Sequence, residues 1–418
     1  MSNRKSDVLI LGGGAIGLAC AYYLLRAGRG VTIIEQNTTG SGSSHGNCGT
    51  ITPSHAPPLA QPGMVTKALK WMLTPDAPFR VAPRLDFQLF EWMLQFAQHC
   101  NWRDYQRITA VKAPLLLRAR ELIGELVRTE NLDCEFAQSG TLYVHRDAAS
   151  FEQAAGMPKA LADCGIVMQA LDGARCREME PALNASIVGG YFNPGDARLR
   201  PDRYAAELAR VVQAKGGEIF ESTRITGFRR ERERISAVLT DHGEFDAQDI
   251  VFALGAWSPQ LARQLDLHLP IQPGKGYSIT YTRPQRAPRM PLTLRERSVC
   301  VTSWDFGYRL GSTMEFAGYD TSLNRARLDA LKRGAAEYLI EAEGPQIVEE
   351  WYGWRPMTYD DLPILGRPAK LKNLMLATGH GMLGVTLSAV TGEMIVQLLT
   401  GRETPLDPAP FAPARFNL

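Results

Sequence analysis

Residues 8–35 constrain the fold of this chain more than any other stretch, because an apolar run, a glycine turn, a helix-forming segment and a second apolar run follow without a break. Val8-Leu9-Ile10-Leu11 predicts one buried strand and Val31-Thr32-Ile33-Ile34 another. Between them, Gly12-Gly13-Gly14-Ala15-Ile16-Gly17 opens a helix over residues 18–27. This order of strand, glycine turn and helix is the dinucleotide-binding unit of α/β proteins. Gly12 permits the tight turn, Gly14 lets the backbone approach a pyrophosphate, and Gly17 lets the helix pack closely on the strand. The phosphates then sit on free N–H groups at the positive end of the helix, in the turn that holds Ala15 and Ile16. Glu35, followed by Gln36, lies 18 residues beyond Gly17, where a carboxylate accepts from a ribose hydroxyl and repels a 2′-phosphate.

With 418 residues the chain has length for two or three domains and a large core. Its 46 basic and 44 acidic residues leave a net charge of +2, so no strong field recruits nucleic acid, and a small molecule is the expected partner. The seven cysteines are scattered and include no C-x-x-C pair, which argues against a disulfide framework and against a metal site. A polar start leads directly into the first strand, leaving no room for a signal peptide. No apolar run reaches the roughly 18 residues of a membrane span. A cytoplasmic protein is expected, with peripheral membrane contact left open.

Residues 36–49 are dense in glycine and serine, which suits a loop lying against a flat ligand. Residues 53–58, rich in proline, are expected to be extended. Phe87, Phe90, Trp92, Met93 and Phe96 recur at helical spacing and predict a core-facing stripe. Residues 136–144 and 188–193 read as strands of a different sheet, and alternating α/β grammar returns from Pro201 to the turn at Gly255. Near the C-terminus Gly379-His380-Gly381-Met382-Leu383-Gly384 makes a second glycine turn ahead of a helix over 385–399. Two such turns can aim two helix N-termini at one elongated ligand. Arg355, between Trp354 and Pro356, is a candidate carboxylate clamp, because its planar fork gives two charge-assisted hydrogen bonds. Tyr277 is a candidate second donor to the same carboxylate.

Taken together, residues 12–17 with Glu35, 53–63 with 67–71, 274–278, 311–320, 353–358 and 379–384 resemble the FAD-dependent D-amino-acid oxidase superfamily. Within it the bacterial D-amino-acid dehydrogenases are the most similar group. The resemblance implies a mixed α/β fold of the glutathione-reductase-like kind, in which a discontinuous Rossmann-like FAD-binding domain (1–84, 185–268, 346–418) carries a mixed-sheet substrate domain (85–184, 269–345). It implies noncovalent FAD and oxidation of an amine beside a carboxylate, by hydride transfer to flavin N5. Gly12, Gly14 and Gly17 would hold the pyrophosphate, Glu35 the ribose, and the Ile225 backbone adenine. Ser43, Ser44, His45, Gly46 and Asn47 would line the flavin, with Gly379, His380, Gly381, Met382, Leu383 and Gly384 by its pyrimidine edge.

His55 stands where the relatives tend to carry an aromatic hydroxyl, and Gly46-Asn47-Cys48 replaces their Ala-Asn-Ala. These departures point to a cyclic substrate such as D-proline or cis-4-hydroxy-D-proline, as in a hydroxyproline-directed branch. Each of His45, His55 and His380 could tune flavin or substrate, or simply satisfy a local hydrogen bond, and no pattern demands His45 or Cys48 as a covalent flavin anchor. The electron acceptor would be a quinone or another carrier. The competing readings are an oxygen-using glycine or sarcosine oxidase and a flavin relay subunit of a larger complex.

Overall fold

The computed structural model describes residues 3–72, 77–305 and 307–418. Strand β1 (Asn3–Leu11) is paired in parallel with β2 (Val31–Ile34) on one side and with Gly243–Phe252 on the other. Beyond these lie Glu218–Phe220 next to β2 and Leu374–Thr378 next to Gly243–Phe252, both also parallel. A sheet covered on both faces requires continuously apolar strands, and Val8, Leu9, Ile10 and Leu11 are all fully buried. Helix α1 (Ala15–Arg26) and the helix Ser388–Thr400 pack together on one face. They cross closely because Gly392 has no side chain: a Cβ there would lie 2.7 Å from the Ala19 carbonyl oxygen.

The second sheet has ten strands and is mostly antiparallel. Its spine is Ile271–Thr282, which pairs along its length with Ile347–Thr358, setting Gly274 opposite Arg355 and Gly276 opposite Gly353. The order then runs outward through Gly307–Gly311, Val299–Ser303, Leu292–Leu294, Thr141–His145 and Gly189–Asn193. Gly189–Asn193 and Ile347–Thr358 therefore pair here rather than in the nucleotide sheet, so by strand pairing the chain crosses between sheets after Asn193 and after Thr358. Their antiparallel partners are distant in sequence, and local pattern does not reveal them.

Three local expectations are corrected. Residues Pro53–His55 form a single 3₁₀ turn, not an extended segment, because Pro53 at the first position suits a helical turn. The helix after the second glycine turn begins at Ser388, with a separate 3₁₀ turn over Gly381–Leu383 before it. In α3 (Phe87–His99) the aromatic stripe is divided between two faces. Trp92 and Leu89 pack against Phe316 and Met357, whereas Phe87 and Phe90 are 89% and 69% exposed. Helix α3 lies at the edge of the protein, where only one of its faces has a partner. Among the described residues no helix is long and apolar enough to cross a membrane.

Candidate active site

One cavity of about 770 Å³ runs from the glycine turn to the second sheet, and most of the residues singled out above border it. At its nucleotide end the backbone does the shaping. Gly12 has φ +105°, and a Cβ there would lie 2.5 Å from the Ala253 carbonyl oxygen; one on Gly17 would lie 1.9 Å from the Gly12 oxygen. Gly17 thus serves helix packing and does not border the cavity, whereas Gly12, Gly14, Ala15 and Ile16 do. Helix α1 starts at Gly14 with no side-chain cap and no acid in its first turn, which leaves N–H groups and a positive dipole end facing the cavity. Ser44 Oγ accepts from the Ala15 N–H at 3.2 Å.

Glu35, at the end of β2, accepts from the Gly13 N–H at 2.8 Å and the Asn37 N–H at 3.0 Å, which fixes its carboxylate at the cavity wall. Gln36 and Ile225 border the cavity at the same end, and Gly255 borders it with φ +53°. A helix N-terminus beside a fixed carboxylate fits a diphosphate, which is anionic, joined to a ribose, whose hydroxyls donate.

The loop over residues 36–49 is pinned to the second sheet. Arg309, 4% exposed, donates to the carbonyls of His45 at 2.9 Å and Asn47 at 2.7 Å. Ser43 donates to the Trp354 carbonyl, and a Cβ on Gly46 would enter the Trp351 ring. These contacts hold Ser43, Ser44, Gly46 and Asn47 along the cavity. His45 is not among the residues that border it: its Nε2 lies 2.8 Å from Glu349 Oε1, and that contact holds the Glu349 carboxyl below its usual range.

Cys48 Sγ occupies the space beside Gly311, 2.7 Å from where a Cβ would stand, and Cys300 faces Gly311 across the strands. The two thiols interact, which lowers the Cys48 pKa and raises that of Cys300. Neither this pair nor Arg309 was legible in sequence, since long-range strand register alone brings them together.

At the far end, the Arg355 guanidinium lies over Gly276, where any Cβ would come within 2.4 Å of it. Its Nη1 donates to the Thr313 carbonyl at 2.9 Å. Burial lowers its pKa, the thiols of Cys48 and Cys300 lie near it, and no carboxylate pairs with it among the described residues. Tyr277 borders the cavity but does not serve as the expected free donor. Strand alternation sends its ring to the face opposite Gly276, and its hydroxyl donates to Glu315 Oε2 at 2.6 Å.

His55 Nδ1 lies 2.8 Å from Thr52 Oγ1, and its ring meets Tyr143 edge-on at 5.9 Å. Burial, reinforced by Lys112 and Arg295, lowers its pKa to about 4. His380 Nε2 lies 2.9 Å from Thr391 Oγ1, and burial lowers its pKa to about 3. Both imidazoles border the cavity and are neutral at neutral pH. Gly381, Met382, Leu383 and Gly384 continue that wall, while Gly379, φ +76°, packs behind it on Thr358. Beneath His55, Tyr143 Oη lies 2.6 Å from Ser54 Oγ, which donates to Asp196 Oδ2 at 2.5 Å. Asp196 is fully buried, and burial pushes its pKa up to about 7.

The sequence profile of the FAD dependent oxidoreductase (DAO) family matches residues 7–398. The chain belongs to that family. It is 34% identical over 415 residues to a D-amino acid dehydrogenase of Granulibacter bethesdensis, covering 98% of this chain and 99% of that protein. A D-amino acid dehydrogenase of Xanthobacter autotrophicus is 33% identical over 416 residues, at 98% and 99% coverage. In fold the chain is similar to glycine oxidase from Geobacillus kaustophilus, with a TM-score of 0.81 at 24% identity over 98% of each chain. This member of the DAO family is thus an FAD-dependent oxidoreductase, and its bare helix N-terminus and glycine-lined cavity suit that cofactor.

Proposed function

We propose that this enzyme dehydrogenates D-amino acids or cyclic D-imino acids, D-proline and cis-4-hydroxy-D-proline among them, to the corresponding imino acids. One observation carries the reading: Arg355 is a desolvated guanidinium on the wall of a cofactor-sized cavity, with no carboxylate of its own. Two parallel hydrogen bonds from that fork would hold the substrate carboxylate and fix the position of its α-carbon. FAD in the cavity supplies the acceptor for the α-hydrogen and its electron pair. The residues of the chain orient the substrate, and the neutral His55 and the Tyr143 ring give its carbon skeleton an uncharged wall. In this reading the eight-stranded sheet holds the nucleotide and the ten-stranded sheet holds the substrate.

Electrons would leave to a quinone or another carrier at the cytoplasmic face of a membrane. Helix α2 (Met64–Met72) buries no residue and exposes Val65, Leu69 and Met72 beside Lys67 and Lys70, and α3 exposes Phe87, Phe90 and Leu94. Exposed apolar side chains beside two lysines on α2, at the mouth of the cavity, would suit contact with an anionic lipid surface. The test is steady-state turnover of D-amino acids with a soluble quinone, with and without anionic vesicles. Quinone reduction, stimulated by vesicles, supports the reading; stoichiometric peroxide with no quinone reduction makes the enzyme an oxidase instead.

A further inference from the structure

Arg355 is not the only guanidinium on the cavity wall that no carboxylate pairs with among the described residues. Arg295 follows the strand Leu292–Leu294 and is half-buried at the cavity wall. Thr293 and Cys300 face each other across the hairpin, and both border the cavity. The side chain two residues beyond Thr293 points to the same face, so the strand aims Arg295 inward. Its one ring contact is with Tyr143, whose centroid lies 5.9 Å from the guanidinium carbon. No carboxylate or carbonyl accepts from its five N–H groups among the described residues.

Several other half-buried arginines of this chain are held by carboxylates. Arg29 is held by Asp7, Arg118 by Glu393, Arg200 by Asp202 and Arg415 by Asp360. The charge of Arg295 is felt by the groups around it. After burial, it contributes to the lowered pKa values of His55 and Lys67. Lys67, over the Trp71 ring at 4.7 Å, is exposed at the rim of the same cavity. The acid next in the chain, Glu296, is held on the other face by Tyr338 and the backbone of Arg146. The N–H groups of a guanidinium at a cavity wall are open to an oxygen acceptor of a bound ligand.

Arg355 and Arg295 border the same cavity, and Cys300, which pairs with Thr293 in the hairpin, lies near the Arg355 guanidinium.

We infer that Arg295 is a second substrate-recognition residue, which donates to an oxygen acceptor, hydroxyl or carboxylate, on the side chain or ring of the amino acid held by Arg355. The inference rests on the amino-acid reading of the site and narrows it to substrates bearing a distal oxygen.

Two matched pairs test it, by anaerobic reduction of the FAD-loaded enzyme: cis-4-hydroxy-D-proline against D-proline, and D-glutamate against D-norvaline. In at least one pair the oxygen-bearing member should be favoured in reduction efficiency about tenfold or more. The pair with the larger ratio identifies hydroxyl or carboxylate. Arg295→Met should reduce that ratio to near unity, with bound FAD and the oxygen-free partner little changed. Equal efficiencies within both wild-type pairs, or a ratio that Arg295→Met leaves intact, would overturn the inference while the amino-acid reading stands. No reduction by any of the four compounds would remove both. The wild-type ratios need no variant, so a poorly folding Arg295→Met does not shield the inference.

Discussion

The two ends of the cavity are built by different means. At the nucleotide end the groups that would meet the cofactor are backbone N–H groups in the turn after β1 and the carboxylate of Glu35 just after β2. At the proposed substrate end they are side chains brought together from far apart in sequence, with Arg355 over Gly276 and Cys48 over Gly311. The first is local geometry, which glycine spacing encodes directly. The second is register, which depends on how an entire sheet assembles.

If that contrast holds, substitutions at the two ends fail differently. The largest effect is expected at Gly17→Ala, whose new methyl would lie 1.9 Å from the Gly12 oxygen. The turn must then open, with a loss of roughly 2–5 kcal/mol and little bound flavin, as measured by flavin content and thermal melting. Arg355→Ala should instead keep FAD and the fold, and lower the efficiency of flavin reduction about 100-fold or more. Retained flavin with lost reduction separates the two ends; loss of flavin in Arg355→Ala would merge them.

Asp196 offers a pH test of the support under the substrate end. Its folded pKa is raised to about 7, so the folded protein holds a proton that the unfolded chain has released. Its contribution to stability is therefore present at low pH and declines as pH rises from about 4 to about 7. His55 and His380, lowered to about 4 and about 3, act in the opposite sense and withdraw stability as pH falls below about 6.5. Asp196→Asn should remove the decline between about pH 4 and about pH 7 and leave the acid-side loss due to the two histidines in place. The smallest effect is expected at Tyr277→Phe. Because its hydroxyl is committed to Glu315, reduction kinetics should stay within about threefold while stability drops by about 1–2 kcal/mol. A large kinetic loss with unchanged stability would return Tyr277 to the substrate.

How much was legible follows the same division. Residues 8–35 announce their fold and ligand class, since each glycine has a steric reason that can be stated without coordinates. Arg355 is visible as a residue type suited to carboxylates, but that no carboxylate pairs with it among the described residues is a fact of packing. Tyr277 reads as a free donor until strand alternation points it at Glu315, an acid 38 residues away. Arg295, Cys300 and Asp196 carry no local signal, because an ordinary hairpin arginine, a lone cysteine and a loop aspartate look the same wherever they fall. Phe87 and Phe90 show the converse, since a helical stripe reports amphipathicity but not which face is covered.

The central claim is that one cavity joins a bound flavin to a clamp for the carboxylate of an amino acid. Its most direct test is the anaerobic absorbance of the FAD-loaded protein, titrated with D-proline, D-alanine and their L-enantiomers. The account predicts loss of the flavin band with the D-compounds alone. Flavin that stays oxidised with all of them, or that only L-compounds bleach, would contradict it.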